Sequence, residues 1–407
     1  MAAAAAARLR ILVLASTYPR WPGDPEPGFV HELCRRLAQR FAVVALVPDA
    51  PDAQPGGALD GVEVVRYRYA PRRWQTLVAG GGIVANLRRS PWKWLLVPGY
   101  VLMQYVAARR LLRQHRFDAI HAHWLIPQGL VARALGAPRI VTSHGGDLYG
   151  LRGRALTALK RRIAAGAAGM TVVSNAMRDE AQRLGLRPAR LDVIPMGVDL
   201  RGRFVPDPSV AREPDRLLFV GRLVAKKGLR HLLEAMPAVL QKRPRVGLDI
   251  VGHGPEEAAL RALAARLGLD GAVRFLGARE QKELPDFYRR AALFVAPFVR
   301  EASGDQEGLP VALMEAVACG CPVLAGDVRG IEDLLGPEHG QATVPAGDVG
   351  RLAAGVLSLL EDPAAAAASA ARIRAFAGDR FDWTRIAAAY GDFIESCVVR
   401  SGANQAA

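Results

Sequence analysis

Residues 216–236 read RLLFVGRLVAKKGLRHLLEAM, and their order decides the fold. An aliphatic run over 216–220 ends in Gly221, and a helical period takes over from Leu229 to Met236. A strand apolar on both faces lies inside a sheet, and a helix following it covers one face. That is the repeating unit of a parallel sheet. The loop between them carries Arg222 and Lys227, five residues apart. At this point both readings are open: two surface cations at a loop, or a clamp for a diphosphate.

Working outward, the same unit recurs. Strand candidates lie at 10–16, 42–47, 62–68, 119–123, 139–143, 170–174 and 191–195 in the first half. In the second they lie at 216–220, 246–252, 272–277, 293–297, 322–325 and 342–344. A helix over 28–40 shows the 3.6-residue period through Phe29, Val30, Leu33 and Leu37. The segment 199–216 holds three prolines within a run of charges and reads as the linker between two domains. The expected fold class is α/β, with two Rossmann-like, doubly wound parallel-sheet domains facing a central cleft. With 407 residues, 51% of them hydrophobic and 23% charged, two such domains can each bury a core.

Several classes fall away. Four cysteines (Cys34, Cys319, Cys321, Cys397) are too few for a disulfide framework. No second pair stands at zinc-ligand spacing from Cys319 and Cys321, so reduced thiols at a helix-to-strand turn are expected. The leader-like start has no charged n-region and only a short apolar stretch over 11–15, which suits a first buried strand better than an export signal.

The net charge of +15 is one-sided. Residues 1–205 hold 30 Lys+Arg against 13 Asp+Glu, a balance of +17; the remainder hold 24 against 26, a balance of −2. Within the first half, residues 64–117 carry eleven basic residues and no acidic one, together with Trp74, Trp92 and Trp94. There WLLVPGYVLMQYVAA (94–108) is bordered by Lys93 and by Arg109 and Arg110, and Pro98-Gly99 is expected to interrupt it. Fifteen residues are too short to span a bilayer. Basic residues flanking an apolar, tryptophan-rich helix fit an anionic membrane surface, with a core helix and a flexible loop as the alternative. No nucleic-acid module accompanies the charge, so nucleic acid is not expected as a partner.

A second chemical element is EGLPVALMEA at 307–316. Pro310 suits the first position of a helix, which places Glu307 just ahead of the helix start and Glu315 about one and a half turns in. A helix start takes a phosphate or a sugar oxygen, and carboxylates accept hydrogen bonds from hydroxyls. Asp305 makes the loop more acidic.

With these residues in place, the chain resembles the retaining GT-B glycosyltransferases of family four, the glycosyl transferases of group 1. The matching segments are GFVHEL (28–33), DAIHAHW (118–124), SHGGDLYG (143–150), VIPMGVD (193–199), FVGRLVAKKG (219–228), VGHGPE (251–256), FLGA (275–278) and EGLPVALMEAVACGCPVLA (307–325). They run in order over almost the whole chain, to FDWTRIAAAY (381–390). The resemblance implies domains at 1–202 and 203–380, and a C-terminal helix over 381–407 that returns to the first. It implies a nucleotide-sugar co-substrate, and with it a metal-independent reaction is expected. The basic, tryptophan-rich first half suggests a lipid-linked or membrane-proximal acceptor on the cytoplasmic, inner face of the membrane, as in polysaccharide or glycolipid assembly.

Residue by residue, the resemblance gives Arg222 and Lys227 to the donor diphosphate, Glu307 to the sugar hydroxyls and Glu315 to the ribose. Gly308 and Leu309 would present backbone amides, and Gly28 would let the first loop approach the donor phosphate. His144 would hydrogen-bond the donor sugar or its phosphate, Gly252 and Gly254 would line the nucleotide, and Phe275 and Gly277 would lie near the base. Many relatives have glycine where this chain has Pro310, so the set of amides reaching the sugar differs. No Asp-x-Asp triplet occurs, which disfavours a metal-clamped donor. His121 and His123 share one face of a strand end, where they either touch an acceptor or form structural hydrogen bonds. Asp199 is expected to order the linker, and Asp147 to cap a helix or bind ligand.

Two further classes compete with the transferase. A nicotinamide-dependent oxidoreductase needs G-x-G-x-x-G after a strand, and Gly252-His253-Gly254-Pro255-Glu256-Glu257 lacks the third glycine and sets acids where phosphate would sit. A GT-B epimerase or phosphorylase would use the same scaffold with a different second substrate.

Overall fold

The computed structural model describes residues 8–24, 28–78 and 82–406. The chain forms two compact units. Unit 1 comprises Met1–Val173, Arg178–Ile194 and Ile386–Ala407, and unit 2 Ser174–Met177 and Pro195–Arg385.

Unit 1 is built on an eight-stranded sheet: β1 (Arg10–Leu14), β2 (Ala42–Pro48), β3 (Gly57–Leu59), β4 (Val62–Tyr67), β5 (Ala119–His123), β6 (Arg139–Ser143), β7 (Gly169–Val172) and β8 (Leu191–Val193). Their order is β3-β4-β2-β1-β5-β6-β7-β8, parallel throughout except for the β3–β4 pair. The β1 and β2 sequences are aliphatic on both faces, and Ile11–Leu14 and Val43–Val47 are accordingly buried. Unit 2 carries β9 (Glu213–Val220), β10 (Gly247–Val251), β11 (Val273–Gly277), β12 (Ala291–Ala296), β13 (Val323–Asp327) and β14 (Thr343–Pro345). The order is β11-β10-β9-β12-β13-β14, and every pairing is parallel. Its core joins Leu217 and Phe219 of β9 to Leu232, Leu233 and Met236 of the helix Leu229–Lys242.

The last helix, Trp383–Ala406, ends as part of unit 1. Tyr390 Oη donates to Ile194 O at 3.0 Å, and Arg40 meets Glu395 and Asp392 at 2.5–2.7 Å. Gly169 of β7 leaves room for this helix, since a Cβ there would lie 2.5 Å from Cys397 Sγ.

Four local expectations need correction. β3 is an additional, antiparallel edge strand; Gly-Ala-Leu carries no alternation by which to find it. β9 begins at Glu213, inside the segment expected to be linker; Glu213 pairs with Ala291 of β12, and the register shifts before Leu217 pairs with Leu293. Pro98 lies in the first turn of the helix Leu96–Gln114, where a missing N–H costs nothing, so it does not interrupt it. Pro310 is the residue before the helix Val311–Ala318, with extended ψ of 115°, and its carbonyl accepts from Leu313 and Met314.

Candidate active site

In unit 2 the loop after β9 brings its cations against the loop before Val311. Lys227 Nζ stands 3.2 Å from Glu307 Oε2. Lys226 Nζ lies 3.5 Å from Glu307 Oε1 and 3.4 Å from Asp305 Oδ1. The Arg222 charge acts on Lys226, Lys227 and Glu307. The Lys227 ammonium also sits over the Phe298 ring, 5.1 Å from its centroid. A 3₁₀ turn over Ala225–Lys227 aims the two lysines, and the helix Leu229–Lys242 starts from Gly228 in the left-handed region (φ 69°).

The electrostatics of this cluster are set by burial and mutual charge. Burial works against charged Glu307, but Lys227 and Lys226 outweigh it and bring its carboxyl down to about 2. Burial lowers Lys227 despite Glu307, whereas for Lys226 the two carboxylates outweigh burial and raise it. Glu307 is thus an anion held between cations. Its Oε1 is buried and accepts no hydrogen bond, leaving a lone pair for a ligand hydroxyl. Lys226 was not singled out from the sequence, although it stands within the quoted loop.

Glu315, on the helix Val311–Ala318, is buried in a different setting. Gln281 Nε2 donates to its Oε1 at 2.6 Å and Tyr288 Oη to its Oε2 at 3.0 Å. Burial raises its carboxyl to about 7 despite these bonds. Each oxygen keeps one lone pair for a further donor. Gly308 and Leu309 lead into the same helix start. The Arg261 guanidinium covers Phe275 at 4.4 Å, and Gly277 O accepts from Gly252 N at 2.8 Å. Gly252 and Gly254 have a packing reason to be glycine, because a Cβ on either would collide with backbone of residues 221–223.

In unit 1, Gly28 precedes the helix Phe29–Leu37, and the nearest atom to an added Cβ is Pro19 Cγ at 3.8 Å, an ordinary contact. His144 follows β6, packed between Phe29 and Trp124 with ring centroids 4.9 and 5.0 Å away. His123 Nδ1 lies 2.9 Å from His144 Nε2. His121 and His123 share one face of β5, as their spacing implied, but neither has exposed surface through which to touch an acceptor. Asp147 ties the β5 and β6 loops together, accepting from Leu125 N at 2.6 Å and Ser143 Oγ at 2.8 Å. Asp199 accepts from Gly202 N at 2.8 Å, a local turn. All four cysteines are buried and free, and burial raises Cys319 to about 12 and Cys321 to about 11.

The basic stretch 64–117 divides by aromatic type. Tyr67, Tyr69 and Tyr100 are buried against one another, with centroids 5.2–6.4 Å apart, and seat the helix Leu96–Gln114 on β4. Trp92 and Trp94 are 50% and 60% exposed, and Leu95, Leu102 and Val106 continue an uncovered apolar stripe. Among the described residues no helix is long and apolar enough to cross a membrane.

Residues 29–201 match the Glycosyltransferase Family 4 profile and residues 204–376 the Glycosyl transferases group 1 profile. The chain is 34% identical over 290 residues to a GDP-mannose-dependent alpha-(1-6)-phosphatidylinositol monomannoside mannosyltransferase of Mycolicibacterium smegmatis, covering 68% of this chain and 75% of the relative. It is 29% identical over 404 residues to a glycogen synthase of Mycobacterium tuberculosis, covering 94% and 93%. Anabaena HepE, solved in complex with UDP and glucose, superposes with a TM-score of 0.69 at 19% identity over 96% of this chain and 100% of that one, a likeness of fold. The two parallel sheets and these matches together make the chain a hexosyltransferase of GT-B fold that belongs to the glycosyl transferases of group 1.

Proposed function

We propose that the enzyme transfers a hexose from a nucleotide-sugar donor, with retention of configuration, to a lipid-linked acceptor at an anionic membrane surface. The observation that carries the donor half is the Lys227–Glu307 contact of 3.2 Å, with Glu307 Oε1 left without a hydrogen bond. Cleaving the sugar–phosphate bond leaves negative charge on the nucleoside diphosphate. Arg222 and Lys227 are the groups to stabilise it, an effect worth about 3 kcal/mol per preorganised contact. Glu307 accepts from sugar hydroxyls, Glu315 from the ribose, and His144 contacts the sugar or its phosphate. Gly28, whose own packing leaves room for a side chain, admits the donor phosphate. Retention follows from the family resemblance, with the leaving phosphate taking the acceptor proton on the same face. Melting the protein with UDP, GDP, ADP, CMP or NAD identifies the base. A ligand at a hundred times its dissociation constant adds about 2.7 kcal/mol, and stabilisation by NAD alone would refute the donor reading.

The acceptor half rests on the exposed Trp92, Trp94 and Leu95 just before the helix Leu96–Gln114, on its exposed Leu102 and Val106, and on Arg109, Arg110 and Arg113 near its end. Apolar side chains enter the headgroup layer while each nearby cation adds about 1 kcal/mol on anionic lipid. A relative named for a phosphatidylinositol mannoside substrate favours a lipid acceptor. The four buried thiols suit the reducing cytoplasmic side. Sedimentation with phosphatidylserine vesicles at low salt, lost in W92A/W94A without a change in melting, is the expected result. Wild-type protein that stays in the supernatant refutes membrane docking, and a polysaccharide acceptor, as a glycogen synthase name implies, becomes the reading to test.

A further inference from the structure

His121 and His123 are buried, titratable and unused by the donor chemistry. His123 and His144 have ring planes 6° apart and centroids 5.2 Å apart, while two of their nitrogens are only 2.9 Å apart. Rings meeting these three values lie edge to edge in one plane, so the contact is an N–H···N hydrogen bond and not a stack. Burial holds His121 down to about 4 and His144 to about 3, with His123 also well below its ordinary value. All three are therefore neutral at pH 7. A neutral imidazole carries one donor and one acceptor, so either His123 Nδ1 or His144 Nε2 bears the shared proton.

The other nitrogen of His123 decides between them. His123 Nε2 is buried and has no hydrogen-bond partner. If Nδ1 bears the proton, the orphan is a lone pair; if not, the orphan is a buried N–H, the rarer and costlier case. The same reasoning applies to His121. Its Nε2 lies 2.8 Å from Thr142 Oγ1, which lies 2.6 Å from Thr171 Oγ1. Tyr390 donates its own proton to Ile194 O. The same preference for an orphan lone pair over an orphan N–H puts the His121 proton on Nε2, donated to Thr142, and leaves the unpartnered Nδ1 a bare lone pair.

We propose that His123 is a positioning residue: its Nδ1–H, donated to His144 Nε2, locks His144 in the Nδ1–H tautomer, so that this partly exposed ring offers a ligand a hydrogen-bond donor. The ligand group it fits is an oxygen acceptor, a sugar hydroxyl or a phosphate oxygen. This rests on the reading that puts His144 at the donor.

The test is long-range ¹H–¹⁵N correlation on the full chain with ¹⁵N-histidine, assigned by single His variants. The expected spectrum has His144 protonated at Nδ1 in the free enzyme. In H123F that tautomer is lost and kcat falls about tenfold with KM moving less, the worth of one neutral hydrogen bond. H123N, which retains an N–H donor, recovers most of both. A wild-type His144 protonated at Nε2, or an H123F variant with unchanged tautomer, overturns the proposal. Because that spectrum needs no substrate, it is separable from the donor reading, which full turnover in H144F would overturn instead.

Discussion

Replacing Glu307 by Gln keeps its shape and removes the charge between Lys226 and Lys227. Both lysines are mostly buried, with about an eighth of each side chain exposed, so water compensates little. Removing one partner from a buried ion pair typically costs 3–5 kcal/mol. Asp305 still faces Lys226 at 3.4 Å, which places the expected loss near the lower end, about 3 kcal/mol. For a unit of this size that is about 6–12 °C in melting temperature. The sign with pH follows from the lowered carboxyl. Glu307 moves from 4.5 to about 2 on folding, so the gap between wild type and E307Q is full above pH 4.5 and closes as pH falls toward 2. A diphosphate brings negative charge back to the lysines. Saturating UDP or GDP, whichever binds, should therefore stabilise E307Q at least as much as wild type, while turnover falls about a hundredfold for loss of the sugar contact. Thermal melts with and without nucleotide, alongside a transfer assay, measure all of this. A melting point within 2 °C of wild type together with undiminished turnover would refute the ion cluster as the donor site, on the scale set by one kcal/mol.

The buried histidines make unit 1 sensitive to acid. His121 and His144 fall from 6.5 to about 4 and about 3, so the unfolded chain takes up protons first. Stability should drop by about 2 kcal/mol per histidine between pH 7 and pH 5, read as faster amide exchange in β5 and β6 after correction for intrinsic rates. Glu315 has the opposite sign: its carboxyl rises from 4.5 to about 7, so wild type loses stability as pH rises across that window. E315Q should lose none and melt higher at pH 8, while binding nucleotide more weakly; equal pH profiles would contradict this. The two glycine classes should separate cleanly. G254A, whose Cβ meets Leu223 N at 2.6 Å, should lose about 1–3 kcal/mol of stability. G28A should melt like wild type and lose kcat/KM.

What the sequence made legible was chemistry carried by short spans. The loop at 221–228 and the residues 307–316 each announce a strand end or helix start with charges beside it, and the structure brings Lys227 and Glu307 to 3.2 Å. Lys226 escaped because adjacent lysines look alike in a sequence; only the fold shows that Asp305 and Glu307 both face it. The aromatic content of 64–117 was visible as a cluster but not as two populations. The tyrosines close on each other under the helix Leu96–Gln114 while the tryptophans stay outside, a difference of tertiary packing. Glycines were equally ambiguous, since Gly28 and Gly254 read alike until a Cβ is placed on each.

The histidines mark the boundary most sharply. Period two along β5 puts His121 and His123 on one face from the sequence alone. Their burial, and hence their neutrality, depends on Thr142 and Thr171 of neighbouring strands and on Tyr390, which arrives on the last helix. A strand-end histidine beside solvent is a candidate to touch an acceptor. The same histidine with that helix docked is a sealed group that can act only through His144. Local sequence thus specifies which groups are present, whereas their protonation, and with it their chemistry, is set by contacts formed last along the chain. Disrupting the helix contact at Tyr390 should therefore raise the protonation of His121 before it alters Lys227 or Glu307, which have their partners within unit 2.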